Sequence, residues 1–287
     1  MSTGEQIYRA LQTKARSDAA SHGTATPTAE YLSRHALESF LFRLTCTEHA
    51  DSFVLKGGIL LAAYGVRRPT KDVDAEAVSA SVTPDQIIRV VHDIAAVDVE
   101  DGLTFDLETI TVQEIRERAE YPGLRLRVNV RIGSWKGVAA WDISTGDPIV
   151  PMPHTVTIPR LLGANIEVTG YRPETVIAEK GVTILERGTT STRWRDYLDI
   201  VQLAAQYAID RAELRRSAEA VAQFRKVDLK PIRPVVKDYG DTAQVKWAAW
   251  RRKEGFEEFS AENLDDQMVL VAEILDPVFG QALNEPG

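Results

Sequence analysis

The chain has 287 residues, of which 44% are hydrophobic, so it is long enough to bury a sizeable core and to form two lobes. Its formal net charge of −8 excludes attraction to nucleic acid through total charge, so a polyanion would need a local basic patch. The single cysteine, Cys46, excludes an intrachain disulfide and a cysteine-built zinc site, and its apolar neighbours predict a buried side chain. No segment has the apolar length of a signal sequence or a membrane span, which favours a cytoplasmic protein without membrane partners.

The order of predicted elements indicates the fold class. Helical patterns cover residues 5–20 and 28–46, and a further helix opens at Thr83-Pro84. Alternating strand patterns occur in the segments VRRPTKDVDAEAV, TFDLETITV, LRLRVNVRIG and GVAAWDIS. Beyond Arg172-Pro173 helical patterns dominate. We therefore expect a bilobed α+β protein, with a mixed-sheet core and packed helices over residues 1–165 and a mainly helical lobe over residues 166–287.

Two carboxylates, Asp72 and Asp74, give the strongest chemical signal. Side chains two residues apart on a strand project from the same face, so both can converge on one point. Such hard oxygen ligands suit Mg²⁺, which binds carboxylates together with phosphate oxygens and water. Asp142 lies in an apolar strand where an unpaired carboxylate is costly to desolvate, so it is a third candidate ligand. A D-x-D motif also occurs on solvated strand edges, and that alternative stays open.

Residues around the acidic motif predict a phosphate-binding role. Lys56, Gly57 and Gly58 precede a predicted helix, where glycines let backbone N–H groups approach phosphate oxygens. The alternative is an ordinary glycine turn. Arg68 stands four residues before Asp72 and can offset phosphate charge, although an arginine before a strand is often simply solvated.

The helical half contains an inward-facing lysine and two neighbouring acids. Lys180 interrupts an apolar stripe between Val176 and Ile184, so it faces the interior or a cleft, unless it reaches back to the surface. Asp196 and Asp199 share a helix face at i, i+3. They either pair with nearby basic residues or take part in the chemistry.

A basic segment near the end of the chain is a candidate nucleic-acid surface. Residues 225–253 contain nine Lys or Arg against three Asp, together with Tyr239, Trp247 and Trp250. Basic groups with interleaved aromatics are typical of single-stranded nucleic-acid binding. The alternative is a solvated basic face with the tryptophans in the core.

The motifs taken together resemble a known superfamily. The order of Gly-Gly, D-x-D and a later Asp resembles the catalytic core of the DNA polymerase beta-like nucleotidyltransferases. The segments KGGILLAAYGVRRPTKDVD, WDISTGD, RPETVIAEKGVTILERG and RWRDYLD resemble the AbiEii/AbiGii toxin family, including its MenT-like members, across residues 50–205. One departure is Ile59, since the superfamily usually has Ser or Thr after the second glycine.

The resemblance implies an enzyme that transfers nucleotides from an NTP to the 3′ end of tRNA, blocks aminoacylation and growth, and has a cognate antitoxin. It also implies that Lys180 lies near the NTP phosphates and that Asp196 completes an active site in which two Mg²⁺ ions are held by Asp72, Asp74 and Asp142. Two alternatives stay open. Transfer to a protein or small molecule is favoured if residues 225–253 do not bind RNA. Because Ile59 replaces the expected hydroxyl residue, the core could also be degenerate and only bind nucleotide or a partner.

Overall fold

The computed structural model describes residues 2–22, 27–66, 70–78, 82–117 and 121–280. These residues form nine α-helices and seven β-strands, and the chain divides into two compact units. The first unit comprises Met1–Gly146 and His154–Gly170, and the second comprises Asp147–Pro153 and Tyr171–Gly287. None of the described helices combines the length and the apolar character needed to cross a bilayer.

The first unit is built on a seven-stranded sheet with the strand order β3-β4-β5-β2-β1-β7-β6. Its strands are β1 (Phe53–Lys56), β2 (Val73–Ala77), β3 (Leu103–Glu117), β4 (Tyr121–Ile132), β5 (Trp135–Thr145), β6 (His154–Ile158) and β7 (Ile166–Gly170). The described helices of this unit are α1 (Thr3–His22), α2 (Thr28–Thr45), α3 (Gly57–Ala63) and α4 (Pro84–Ala96). Strand β2 pairs antiparallel with β1 and parallel with β5. The sheet is therefore mixed, and the predicted α+β class is confirmed.

Aromatic side chains of the core pack on one face of the sheet. The rings of Phe40 on α2 and Phe53 on β1 pack against Trp141, with ring centroids 5.5 and 4.6 Å away. Trp141 is fully buried. Because side chains alternate along a strand, the burial of Trp141 turns its neighbour Asp142 to the opposite face. We call this opposite face, which also carries Asp74, the front face.

The predicted start of α4 is confirmed in atomic detail. The Thr83 hydroxyl accepts a hydrogen bond from the backbone N–H of Gln86, and the Gln86 side chain accepts one from the backbone N–H of Thr83. Pro84 follows at the first helical position, where its missing N–H costs nothing.

The second unit is mainly helical, as its sequence pattern predicts. Its helices are α5 (Pro173–Arg187), α6 (Trp194–Gln206), α7 (Arg211–Arg225), α8 (Tyr239–Glu254) and α9 (Leu264–Phe279). Trp247 is fully buried and Tyr239 nearly so, while Trp250 is half-buried and stacks on Trp247 with ring centroids 5.3 Å apart. The alternative of a core position is therefore confirmed for Trp247, and neither it nor Tyr239 offers a free ring to a base.

Three features differ from the sequence predictions or extend them. Cys46 is exposed, so its predicted burial is wrong, because the residue caps α2 beyond the last buried turn. Strands β6 and β7 have no counterpart among the predicted strands. Arg68, predicted to contact nucleotide, lies outside the described residues.

Candidate active site

Four charged residues form a row across the front face of the sheet. Strand register pairs Lys56 with Asp74, Asp74 with Asp142, and Asp142 with Arg125. The row therefore crosses β1, β2, β5 and β4, with its two acids at the centre and one cation at each end. Asp72 precedes β2 by one residue and stands two residues before Asp74.

Asp72, Asp74 and Asp142, which we call the acidic triad, converge as the sequence predicts. One carboxylate oxygen from each lies within 4.8 Å of the others, and all three residues are half-buried. Burial, followed by the charges of Asp72 and Asp142, raises the pKa of Asp74 to about 7. A divalent cation would relieve this repulsion, and convergent carboxylate oxygens are the ligands that Mg²⁺ prefers. The three residues therefore fit a divalent metal ion.

The two glycines of the Lys56-Gly57-Gly58 motif contact the triad directly. Gly57 has a φ of +67°, and a Cβ at this position would lie 1.9 Å from Oδ2 of Asp74. The backbone N–H of Gly58 donates to the same oxygen across 3.4 Å. Glycine is required here because it alone combines the left-handed backbone with room for the Asp74 carboxylate.

Lys56 is fixed by a buried carboxylate that sequence reasoning missed. Its Nζ donates to Oε2 of Glu76 across 3.1 Å, and the Ser144 hydroxyl donates to the same oxygen across 2.5 Å. Glu76 is only 1% exposed. Glu76 continues the period-two pattern of Asp72 and Asp74. This spacing could have predicted that its side chain lies on the same face of β2.

Arg125 is a second residue of the site that sequence reasoning missed. Its Nε donates to Oδ1 of Asp142 across 2.7 Å, while its Nη2 donates to Oδ2. The hydrogen bond to Asp142 raises the pKa of the guanidinium. This two-pronged contact is the strongest geometry available to an arginine and a carboxylate, and it depends on a strand register that the sequence does not reveal.

A second charged cluster lies within the helical unit. Nζ of Lys180 donates to Asp196 and lies 2.9 Å from Oδ2 of Asp199, and Nε of Arg193 lies 2.7 Å from Oδ2 of Asp196. The Lys180 side chain is 14% exposed, which confirms its predicted inward orientation. Burial alone would raise the pKa of Asp196, but Lys180 and Arg193 outweigh burial and lower it to about 2. Two buried carboxylates thus face two cations.

The predicted site residues therefore fall into two groups. The sheet unit brings together Lys56, Gly57, Gly58 and the acidic triad. The helical unit brings Lys180 together with Asp196.

Comparison with known proteins identifies the family. The sequence matches the nucleotidyl transferase AbiEii toxin family of type IV toxin–antitoxin systems over residues 39–277. The chain belongs to this family, and thereby to the toxin-type nucleotidyltransferases. No curated protein matches the sequence at a significant level.

The comparison with solved structures found matches of low sequence identity. JHP933 from Helicobacter pylori is 14% identical with a TM-score of 0.49, over 87% of this chain and 91% of that one. A second H. pylori protein, described as a presumed nucleotidyltransferase, is 15% identical with a TM-score of 0.49, over 86% and 94% of the two chains. An antigenic nucleotidyltransferase-like protein from Paracoccidioides brasiliensis is 15% identical with a TM-score of 0.37, over 66% and 89%.

Proposed function

We propose that the protein transfers nucleotides from an NTP to the 3′ end of tRNA and thereby blocks aminoacylation and growth. The observation that carries this proposal is the convergence of three carboxylates within 4.8 Å in a chain of the AbiEii family. Membership of a toxin–antitoxin family supports a separate cognate antitoxin that restrains the enzyme. The tRNA acceptor rests on the resemblance to MenT-like toxins.

The acidic triad would hold the metal ions of this reaction. When bound, two Mg²⁺ ions would neutralise charge on the NTP phosphates and lower the pKa of the attacking hydroxyl. Lys56 offsets negative charge beside Asp74, and the Gly58 amide orients the Asp74 carboxylate. In the transfer, the acceptor 3′ oxygen forms a bond to the α-phosphorus. The bond between the α-phosphorus and the leaving pyrophosphate oxygen breaks, and the proton of the hydroxyl passes to water.

Purified protein incubated with Mg²⁺, each labelled NTP in turn and total tRNA tests this proposal. We expect a label on tRNA, a product longer by whole nucleotides, and loss of both with Asp72→Ala. The control is Asp51→Ala, because Asp51 is an exposed acid within the 3₁₀ turn Ala50–Ser52 before β1. Full labelling by Asp72→Ala would refute the proposed role of the triad.

Other acceptors give a different pattern in the same experiment. Pyrophosphate release without label on tRNA would indicate transfer to a protein or a small molecule. Nucleotide binding by calorimetry with no pyrophosphate release would indicate a degenerate core, the outcome for which Ile59 is the sequence argument. Ile59 is buried in α3, so its side chain supplies no phosphate contact.

Lys180 and Asp196 are proposed as catalytic residues on the resemblance alone. Lys180→Met would remove a point charge suited to steadying a triphosphate. We expect it to raise the KM for NTP or to lower kcat while leaving Mn²⁺ affinity of the triad unchanged. Asp196→Asn keeps the side-chain shape and tests whether the carboxylate charge is needed.

A further inference from the structure

Three basic side chains extend from the acidic triad along the front face of the sheet. Arg127 and Arg131 follow Arg125 at intervals of two and six residues on β4, and Lys136 lies opposite Arg131 on β5. All three are exposed. We call Arg127, Arg131 and Lys136 the basic row. At ~3.4 Å per strand residue, the distance from Arg125 to Arg131 is ~20 Å.

The basic row lacks internal charge compensation. Arg131 and Lys136 are directly opposed in the strand register, and like charges in that arrangement repel each other. Within the described part of the chain, none of the three side chains forms an ion pair with an acid. An anionic ligand would remove this repulsion.

The surface around the row has room for such a ligand. A depression of about 630 Å³ is lined by Thr104, Asn129, Arg131, Lys136 and Val138, with Asp106 as an acidic residue on its wall. Val138 is 49% exposed, so the floor between the basic side chains is open. The lining of the depression includes donors for phosphate oxygens, and Phe105, the aromatic residue among the described ones that line it, is half-buried.

We propose that the basic row binds the phosphate backbone of single-stranded RNA and leads the acceptor end to the acidic triad. The distance of ~20 Å from Arg125 to Arg131 exceeds what a single triphosphate requires and suits several successive phosphates. The basic row continues to Arg125, which contacts Asp142 of the acidic triad. RNA bound along the row would therefore point towards the triad. This inference rests on the proposed function for the identity of the acceptor, and it moves the RNA surface away from residues 225–253.

The test measures binding of a labelled single-stranded oligoribonucleotide by fluorescence anisotropy between 50 and 200 mM KCl, without NTP. The test variant is Arg127→Gln/Arg131→Gln/Lys136→Gln. Because single-stranded binding loses ~0.7 in the log–log salt slope per phosphate contact, we expect the slope to become shallower by ~2. Between 50 and 200 mM KCl, the fold loss of affinity should then be smaller for the variant than for the wild-type protein by a factor on the order of ten.

A matched control carries the same loss of charge elsewhere. Lys246, Arg252 and Lys253 are exposed on α8, and their triple Gln variant should keep the slope of the unchanged protein. A 4-thiouridine near the 3′ end of the RNA should crosslink to peptides of β4 and β5. Unchanged circular dichroism and NTP affinity would show that the test variant is folded.

Two results would overturn the inference. An unchanged salt slope in the triple Gln variant of the basic row would exclude RNA from this surface. An acidic protein surface would then be the partner of the basic row. Equal effects of both triple variants would show that only net charge matters. Since RNA binding is measured without NTP, failure of nucleotide transfer to tRNA leaves this outcome unaffected, and the two proposals can fail separately.

Discussion

Arg125 binds both carboxylate oxygens of Asp142, directly across the β4–β5 pair. The same carboxylate belongs to the acidic triad. Arginine and a metal ion therefore compete for one ligand. Removing a unit positive charge beside a divalent ion strengthens metal binding, by about 1 kcal/mol or more at this range in a wet site.

We expect Arg125→Gln to bind Mn²⁺ about five- to tenfold more tightly than the unchanged protein, measured by calorimetry or by electron paramagnetic resonance in the absence of nucleotide. The control is Arg127→Gln, since Arg127 lies on the same strand and face but opposite Ala140. Weaker Mn²⁺ binding by Arg125→Gln would show instead that the guanidinium is needed to orient Asp142.

Gly57→Ala should damage the metal site more than the fold. The positive φ costs an alanine about 1–2 kcal/mol, and its methyl group would displace the Asp74 carboxylate. We expect at least a tenfold loss of Mn²⁺ affinity together with a lowered melting temperature. Gly255→Ala is the matched control, because Gly255 has a φ of +70° with nothing within 4 Å of the added Cβ. It should lose comparable stability and no Mn²⁺ affinity, and equal Mn²⁺ binding by both variants would contradict the assigned contact.

Metal-free protein should lose stability as pH rises because of Asp74. Its folded pKa of about 7 lies above the ordinary value of 3.8, so the folded state holds a proton that the unfolded state has released between these values. The resulting penalty in the free energy of unfolding grows from about pH 4, reaches at most about 4 kcal/mol, and is complete above pH 7.

In EDTA, Asp74→Asn should therefore be more stable than the unchanged protein at pH 8, with the difference vanishing near pH 4. Chemical denaturation across this range measures the difference. Asp51→Asn, at an exposed acid, should show no such trend. If the two Asn variants follow the same pH dependence, the repulsion within the triad is absent.

Asp196 should have the opposite pH dependence. Its folded pKa of about 2 lies below the ordinary 3.8, so its ion pairs stabilise the fold fully above about pH 4 and are lost as pH falls towards 2. We expect Asp196→Asn to be less stable by about 2 kcal/mol at neutral pH.

Urea denaturation should show that the stability difference between Asp196→Asn and the wild-type protein is constant from pH 8 to 5. The difference should shrink in more acidic solution. Asp228→Asn serves for comparison, because Asp228 is exposed in the loop after α7. A deficit for Asp196→Asn that does not change with acidification would assign it to altered packing.

Local patterns predicted most elements of the fold, because they depend on neighbouring residues. The alternation around Asp72 and Asp74, the capping residues of α4 and the apolar stripe of α5 all appear within a few positions of the sequence. Strand β7 was missed because its five residues, IEVTG, are short and only partly apolar. Its place in the sheet depends on parallel pairing with β1, which is distant in sequence.

In the candidate site, too, local patterns were predictable and contacts between residues distant in sequence were not. Asp142 was recognised from its apolar surroundings, whereas its partner Arg125 looked like any exposed residue of an alternating strand. Only the register between β4 and β5 brings their side chains together. Register is set by the whole sheet and its turns, so a single strand does not reveal it.

The position of β2 between β1 and β5 also determines when the site can form during synthesis. Asp72, Asp74 and both glycines emerge early, while Asp142 arrives on β5 only after β3 and β4 have been made. Because β5 supplies the parallel partner of β2, one side of β2 lacks its pairing strand until then. A truncated product that ends before β5 therefore carries the recognisable motif but not the third carboxylate, and the complete acidic triad forms only when the central sheet is complete.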